Sequence, residues 1–243
     1  MSTTQRPEYV PSTQSLHDAF NDEITSLGGM ITNVFNDGRA LFVRSVLDAH
    51  DEVRPGDRIR AGVAMRAVDG EIAVHPYTFR LVCTNGAIVA HSLESQTFER
   101  AIAGVLVPSS EEAVTLSNVR RAVRGCADPK AFARATNELR TAAATPADMA
   151  LYLLPALARM PRATMRRMLP MIIEHFKSAG DESAFGLMNA VTALARDAED
   201  PETRWDLEAV GGMIPGRLAR KPSYRAAWVA SEPAVDSLVS VVE

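Results

Sequence analysis

The apolar positions follow two spacings along the chain, one typical of strands in the first third and one typical of helices behind it. From Ser12 or Ser15, apolar residues recur three or four positions apart until Gly28 interrupts them, which predicts a short helix. Residues 1–11 hold two prolines and no periodicity, so they are predicted to form a flexible arm.

A first hairpin is predicted from two apolar runs, 30–35 and 40–47, that flank Asp37-Gly38. Asp-Gly is a favoured central pair of a two-residue type I′ turn. Both parities of these strands carry apolar residues, with Val34 on one face and Phe35 on the other. The pattern therefore predicts a sheet that is covered on both sides.

A second hairpin is predicted around Asp69-Gly70, because the alternation in 57–68 resumes after that dipeptide. If Val68 pairs with Glu71, the apolar faces of the two strands match in register. The apolar parity changes after Pro76, and a proline commonly lies at a sheet edge or a bulge. We therefore expect a one-residue bulge there.

The expected bulge has a consequence for charge, because it places Arg80 beside the arginines of the preceding strand. The bulge turns Tyr77 and Phe79 to the core face, and Arg58, Arg60, Arg66 and Arg80 then share the opposite face. Guanidinium groups on a sheet face can follow phosphates and stack on bases. Neighbouring acids such as Asp57 can instead neutralise them as ordinary surface pairs.

Helical spacing dominates the remainder of the chain, and prolines in the first turn mark several helix starts. Pro170 is expected to kink or split its helix. The predicted helices are 98–104, 109–124, 129–143, 146–158, 161–178, 182–197, 201–210, 223–230 and 233–242. The predicted fold class is α+β: a helix and an antiparallel sheet over 12–92, then a helical region over 93–243 that forms one compact unit with the sheet.

Composition narrows the function classes. The chain has 243 residues and a net charge of −4, so no global basic field attracts nucleic acid. Two cysteines indicate a reducing compartment rather than a disulfide scaffold. The first residues lack the apolar core of a signal peptide, and no run approaches 18 apolar residues. These features predict a cytoplasmic protein without a membrane partner.

No catalytic, cofactor or metal motif is present, since phosphate-binding glycine loops, nucleophile elbows and zinc-ligand spacings are all missing. Cys83 has His75 and His91 eight residues away on either side, which is compatible with three zinc ligands or a nucleophile pair. Cys83 also falls on the apolar parity of its strand, where an unliganded cysteine is usually buried. We therefore predict no metal, no cofactor and no enzymatic activity.

The stretch Arg80-Leu81-Val82-Cys83-Thr84-Asn85-Gly86, with Asp69-Gly70 before it and Asn189-Ala190-Val191-Thr192 after it, resembles a phage/plasmid-like protein family catalogued as domain of unknown function 932. Homologues often have serine after the first glycine, where this chain has Glu71. The resemblance implies a mobile-element context and no mechanism. Thr84, Asn85 and Gly86 are interpreted either as a strand-end ligand contact or simply as a turn.

Three function classes remain, and a nucleic-acid-binding accessory protein leads them, with single-stranded DNA among its candidate ligands. The second is a protein-interaction module, either an inhibitor of host defence or a self-assembling homo-oligomer, and the third is an enzyme acting at the strand end. The basic residues of the helical region cluster, and one cluster contains Lys130, Arg134 and Arg140 beside the arginines of the first long helix. The candidate nucleic-acid-binding residues are Arg58, Arg60, Arg66, Arg80, Arg120, Arg121 and Arg124.

Overall fold

The computed structural model describes residues 11–81, 85–88, 105–106, 112–149, 153, 157 and 160–219. It confirms the α+β fold class: an antiparallel sheet is followed by helices. Two compact units divide the chain, Met1–Thr136 and Asn137–Glu243, so α2 and the first half of α3 belong with the sheet. The first unit contains α1 (Thr13–Ser26), β1 (Met30–Asn36), β2 (Ala40–Val46), β3 (His50–Arg54), β4 (Asp57–Val68), β5 (Glu71–Arg80), β6 (Asn85–Ile88), β7 (Val105–Leu106), α2 (Glu112–Cys126) and the start of α3 (Pro129–Ala143).

The sheet is built on the long hairpin of β4 and β5. The strands β2 and β3 lie one after the other along the free side of β4, and β6 and β7 share the free side of β5 in the same way. Among the described residues, β1 pairs only with β2 and forms one edge of the sheet.

The two Asp-Gly turns differ, and only the first of them was predicted to be type I′. At the second turn Val68 pairs with Glu71, which confirms the predicted turn position and register, and Asp69 and Gly70 have the positive φ angles of a type I′ turn, 51° and 82°. At the first turn Gly38 has a φ of 86°, but Asp37, the other residue of the predicted central pair, does not have a positive φ, so the type I′ prediction is wrong there. The Asp37 carboxylate accepts the backbone N–H groups of Arg39 and Ala40, which lowers its pKa.

One face of the sheet, called here the helix-covered face, forms the main core. Phe20 and Ile24 of α1 and Val119 and Val123 of α2 pack against alternate residues of β2, β4 and β5. Ser12 caps α1, because its hydroxyl accepts the N–H of Ser15, so Ser12 is the right one of the two predicted starts, Ser12 and Ser15. The sheet residues of this core are Leu41, Val43, Ala61, Val63, Met65, Ala67, Ile72 and Val74.

The opposite face, called here the second face, is also buried over its centre. Phe42 and Arg44 of β2, Ala64 of β4 and Tyr77 of β5 each have at most 2% of their surface exposed. The prediction of a sheet buried on both sides therefore holds for β2 and the centre of the β4–β5 hairpin. It fails for the edge strand β1, in which Phe35 is 37% exposed.

The predicted bulge at Pro76 is wrong, because the β4–β5 register runs without interruption and Pro76 pairs with Val63. Both backbone groups of Val63 bond to the Ser45 hydroxyl and so point towards β2. Pro76 therefore stands opposite Val63 in a pair that shares no hydrogen bond, and its missing N–H costs the hairpin no bond. The parity changes because Tyr77 is buried on the second face.

The second unit contains three described helices, α4 (Arg162–Ala179), α5 (Ala184–Asp197) and α6 (Pro201–Ala219). α4 continues through Pro170, so the predicted split is wrong. Pro170 has no N–H to donate to the Arg166 carbonyl one turn earlier, and both residues are exposed to solvent. α6 extends nine residues beyond its predicted end at 210. None of the described helices has the length and apolar character needed to cross a bilayer.

The remaining helix predictions fall into those that the structure tests and those that lie outside the described residues. Helix α3 confirms the prediction for 129–143, whereas the helix predicted for 146–158 does not begin at Pro146, which instead forms a bridge with Ser183. The flexible arm up to residue 10 and the helices predicted for 98–104, 223–230 and 233–242 lie outside the described residues.

Candidate nucleic-acid interface

The sheet arginines do not share one face. Because cross-strand partners in an antiparallel pair point to the same side, the partner of each residue fixes its face. Arg80 pairs with Ile59 and so belongs to the helix-covered face, whereas Arg60 pairs with Phe79 on the second face. Arg58 and Arg66 have the parity of Arg60. The prediction that a bulge at Pro76 brings four arginines to one face is therefore wrong, because Arg80 lies on the face opposite Arg58, Arg60 and Arg66.

Arg80 is held in a mostly buried ion pair with Asp57. Its Nε and Nη2 atoms donate to the two carboxylate oxygens of Asp57 at 2.6 and 2.7 Å. Only 19% of the Arg80 side chain and 11% of the Asp57 side chain are exposed. A bidentate pair of this kind joins the start of β4 to the end of β5, and a phosphate would have to displace the carboxylate to bind there.

The other three sheet arginines differ in accessibility. Arg58 pairs with Glu52 of β3 at 3.2 Å and is 65% exposed. Arg60 donates to the Leu47 carbonyl at 2.9 Å and to Asp48 at 3.2 Å, so it fills the break between β2 and β3. Arg66 lies over the ring of Phe42, with its guanidinium carbon 5.9 Å from the ring centroid. Of these three side chains, Arg58 is the most open to a ligand.

Two of the α2 arginines bind α1. Arg124 donates to both carboxylate oxygens of Glu23, at 2.6 and 2.9 Å, and the Glu23 side chain is only 4% exposed. This contact raises the pKa of the Arg124 guanidinium. Arg120 lies 3.8 Å from Asp22. Arg124 therefore holds α2 on α1 and has its charge paired locally, whereas the Arg120–Asp22 pair is exposed on both sides and contributes little.

A different set of cations stays open to solvent. Arg121 of α2 and Lys130 and Arg134 of α3 are exposed. Within the part of the chain that the structure describes, no carboxylate lies within ion-pair distance of any of the three, and Arg121 donates to the neutral Asn118 amide. We call these three residues the open cation set.

Only Arg121 of the open cation set was among the candidate residues, although Lys130 and Arg134 belonged to a predicted basic cluster. The signal was present in α3, where Lys130 and Arg134 are four residues apart while Ala131, Ala135 and Leu139 mark the buried stripe. Sequence patterns did not show which arginines form ion pairs with carboxylates.

The strand-end turn at Thr84, Asn85 and Gly86 is only partly described. Thr84 lies outside the described residues, and the backbone of Asn85 begins β6. Gly86 pairs with Phe79 inside the sheet and has no positive φ, so the left-handed turn predicted at Asn85-Gly86 is wrong. Glycine is needed at 86 because a Cβ atom there would collide with the phenol of Tyr77.

The second family-like segment, Asn189–Thr192, lies in α5 and serves helix packing. The Thr192 hydroxyl donates to the Met188 carbonyl at 3.1 Å. Its methyl group lies 2.5 Å from the point where a Cβ atom on Gly211 of α6 would be. This segment therefore sets the close approach of α5 and α6.

The thiol and imidazole candidates do not form a described site. Cys83 and His91 lie outside the described residues, and His75 is buried on the second face of the sheet. Cys126 is a buried free cysteine whose Sγ lies 3.5 Å from the Val74 carbonyl, and burial raises the pKa of this thiol to about 12. Over the described ranges no three His, Cys, Asp or Glu side chains are grouped as metal ligands.

Comparison with protein-family models, with curated proteins and with solved structures gives no match to this chain. The resemblance to the phage/plasmid-like family therefore stays a prediction that rests on its short motifs.

Proposed function

We propose that this chain is a non-enzymatic, cytoplasmic accessory protein of phage or plasmid type that binds nucleic acid, and that its first unit contacts phosphates through the open cation set. The observation that carries the proposal is that Arg121, Lys130 and Arg134 are exposed on consecutive helices with no carboxylate partner among the described residues. A phosphate can pair with such a cation without first displacing an acid.

The paired arginines contribute less to this binding. Exchanging a bidentate carboxylate for a phosphate gains little, so Arg80 and Arg124 act mainly in holding the fold together. Arg58 differs from these two arginines, because an exposed pair such as Arg58–Glu52 is worth only about 0–1 kcal/mol and a phosphate can replace the acid. We therefore include Arg58 as an auxiliary contact on the sheet.

Net charge shapes the expected binding. The chain carries −4 overall, so attraction comes from a local surface and not from the field of the whole molecule. Binding of this kind is dominated by phosphate contacts and is weakened by salt. It distinguishes poorly between sequences, because phosphate contacts carry no base information.

The test is a fluorescence-anisotropy titration of a labelled single-stranded oligonucleotide and of the corresponding duplex, each at several salt concentrations. The variant carries Arg121→Gln, Lys130→Gln and Arg134→Gln together, which keeps long polar side chains on both helices. For three contacts, the log–log salt slope on the single strand should fall by about 2 units.

The matched control removes three exposed arginines from α4 in the second unit, with Arg162→Gln, Arg166→Gln and Arg167→Gln. This control changes the net charge by the same amount and should keep the wild-type slope. Equal losses in the two variants would show that total charge matters and that the α2–α3 surface does not. A folded α2–α3 variant with wild-type affinity and slope would refute the proposed surface.

A second function, a protein-interaction module, is favoured by the apolar side chains exposed on β1. Met30 is 60% exposed, Val34 43% and Phe35 37%. An inhibitor of host defence and a self-assembling scaffold both use such a surface. If the wild-type protein binds neither oligonucleotide at low salt, this function replaces the first.

A further inference from the structure

The edge strand β1 has unusual chemistry for an exposed strand. Its sequence, MITNVFN, contains no charged residue and no proline. Proteins usually protect an open edge with charge, proline or a bulge, because unpaired backbone groups are a template for another strand. The neighbouring edge strand β3 has such protection, since His50, Asp51, Glu52 and Arg54 make up most of it.

The one irregularity in β1 lies in its first half. The register shifts between Ile31 and Asn33, so Thr32 is the additional residue of a bulge. From Asn33 to Asn36 the pairing with β2 is regular. Over the described residues, the second half of β1 is therefore a regular, uncharged edge with no partner strand on its outer side.

The hydrogen bonds of the sheet show which backbone groups of β1 point outward. The Arg44 carbonyl accepts from the Thr32 hydroxyl and so points towards β1. Since directions alternate along a strand, Phe42 also bonds towards β1 and Val43 bonds towards β4. The partners of Val43 and Leu41, which are Val34 and Asn36, then direct their N–H and C=O groups away from the sheet.

We propose that β1 pairs antiparallel with β1 of a second copy of this chain, about a two-fold axis that passes through Phe35. This register places Val34 opposite Asn36 of the other copy twice, so the outward groups of both residues are bonded and the bulge is avoided. Phe35 then faces its own counterpart in a close pair without hydrogen bonds. A pairing centred on Val34 would bring the bulge at Thr32 into the contact.

The absence of charge on β1 favours a second copy of this chain as its partner. A strand without charges meets itself with no like-charge repulsion, while it offers no ion pair that would select a charged foreign segment. A two-fold axis perpendicular to the sheet also keeps the helix-covered faces of both copies on one side. The dimer would thus present the α2 cations of both copies on the same side. The dimer proposal itself does not depend on what these cations bind.

The size of the contact predicts a weak dimer. A strand of seven residues spans roughly 23 Å, and edge pairing alone covers less than the roughly 800 Å² per partner of a standard interface. We therefore expect a monomer–dimer equilibrium that depends on concentration, measurable by sedimentation velocity.

The primary variant is Val34→Pro. Because the Val34 N–H points outward, proline at this position removes a bond between the copies and leaves the β1–β2 ladder intact. Loss of one such bond in each copy should raise the dimer dissociation constant by about tenfold to a hundredfold. The matched control Val34→Thr keeps the N–H and the branched side chain, and should stay close to wild type.

A cross-linking experiment tests the register without weakening the contact. In pairs without hydrogen bonds the Cα atoms are about 4.5 Å apart, which lies within disulfide range. Under mild oxidation Phe35→Cys should therefore form a disulfide-linked dimer, whereas Val34→Cys and the wild-type protein should not. Hydrogen exchange adds a readout on unmodified protein, since protection of the Val34 and Asn36 amides should rise with concentration.

Three results would overturn the proposal. The first is a wild-type protein that stays monomeric with equal exchange at Val34 and Asn36 at every concentration. The second is strong protection of these amides already in the dilute monomer, which would mean that another segment of the chain covers the edge. The third is a dimer that Val34→Pro does not weaken and Phe35→Cys does not cross-link, which would place the interface elsewhere.

Discussion

The phenol of Tyr77 occupies the space that a side chain at position 86 would need, so Tyr77 and Gly86 form an obligatory large–small contact between diagonal positions of β5 and β6. On its other side Tyr77 pairs with Gly62 of β4, and a Cβ atom built on Gly62 would lie 3.3 Å from the ring. The aromatic side chain is 2% exposed and lies between two glycines on the second face of the sheet. Its burial explains both the parity change after Pro76 and the glycine of the Asn-Gly pair.

Gly86→Ala is expected to destabilise the first unit by about 1–3 kcal/mol, because the added methyl group has to displace Tyr77 from a packed position. Urea unfolding followed by circular dichroism measures the change. The control is Gly125→Ala in α2, where nothing lies within 4 Å of the new Cβ atom. That substitution should be neutral or stabilising, by up to about 1 kcal/mol. Equal effects at the two positions would contradict the role of Tyr77.

Asp57→Asn should cost about 3 kcal/mol, because it leaves the mostly buried guanidinium of Arg80 without its carboxylate. The matched substitution Glu52→Gln removes the acid from the exposed Arg58 pair and should cost less than about 1 kcal/mol. Both are measured by chemical unfolding at neutral pH. If Glu52→Gln proves the more costly of the two, the assignment of Arg80 to a structural pair is wrong.

Asp200 should make the second unit sensitive to acid. Its carboxylate accepts the backbone N–H of Thr203 at 2.8 Å and the Thr203 hydroxyl at 2.5 Å, which caps α6 and lowers the pKa of Asp200 below the ordinary value of 3.8. A lowered folded-state pKa adds stability above the unfolded pKa, and this stability is lost as the pH falls through the folded value.

Asp200→Ala is therefore expected to cost about 1 kcal/mol at neutral pH and progressively less below pH 3.8. The measurement is unfolding of variant and wild type over a pH series. Asp200→Asn is the control, since asparagine caps equally well but does not ionise. A cost of Asp200→Ala that does not change with pH would show that the carboxylate charge contributes nothing.

Cys126 should be unreactive in the folded protein. Cys126 is the last residue of α2, and its thiol is buried against β5. A pKa of about 12 leaves almost no thiolate at neutral pH. Alkylation followed by mass spectrometry distinguishes this residue from Cys83. Modification of Cys126 should be slow in buffer and should accelerate in denaturant at the rate of unfolding. Rapid modification under native conditions would contradict its burial.

The sequence alone was sufficient for features that depend on neighbouring residues. The Asp69-Gly70 turn, the cap at Ser12 and the start of α6 at Pro201 each follow from backbone preferences that operate within a few positions. The α+β class and α3 followed equally from hydrophobic spacing. Over these stretches local preference and final structure agree, so tertiary contacts had nothing to override.

Only the tertiary structure decided which face each sheet arginine takes and which cations remain open. Alternation identifies the inner face when one side of a strand meets water, but β5 is buried on both sides around Tyr77, so its parity was ambiguous and Arg80 was assigned to the wrong face. Likewise, α6 continues beyond its predicted end because Gly211, a weak helix former, permits close packing on Thr192. The carboxylate partner of Arg124 is Glu23, about a hundred positions earlier in the chain, and no local pattern can reveal a contact at that separation.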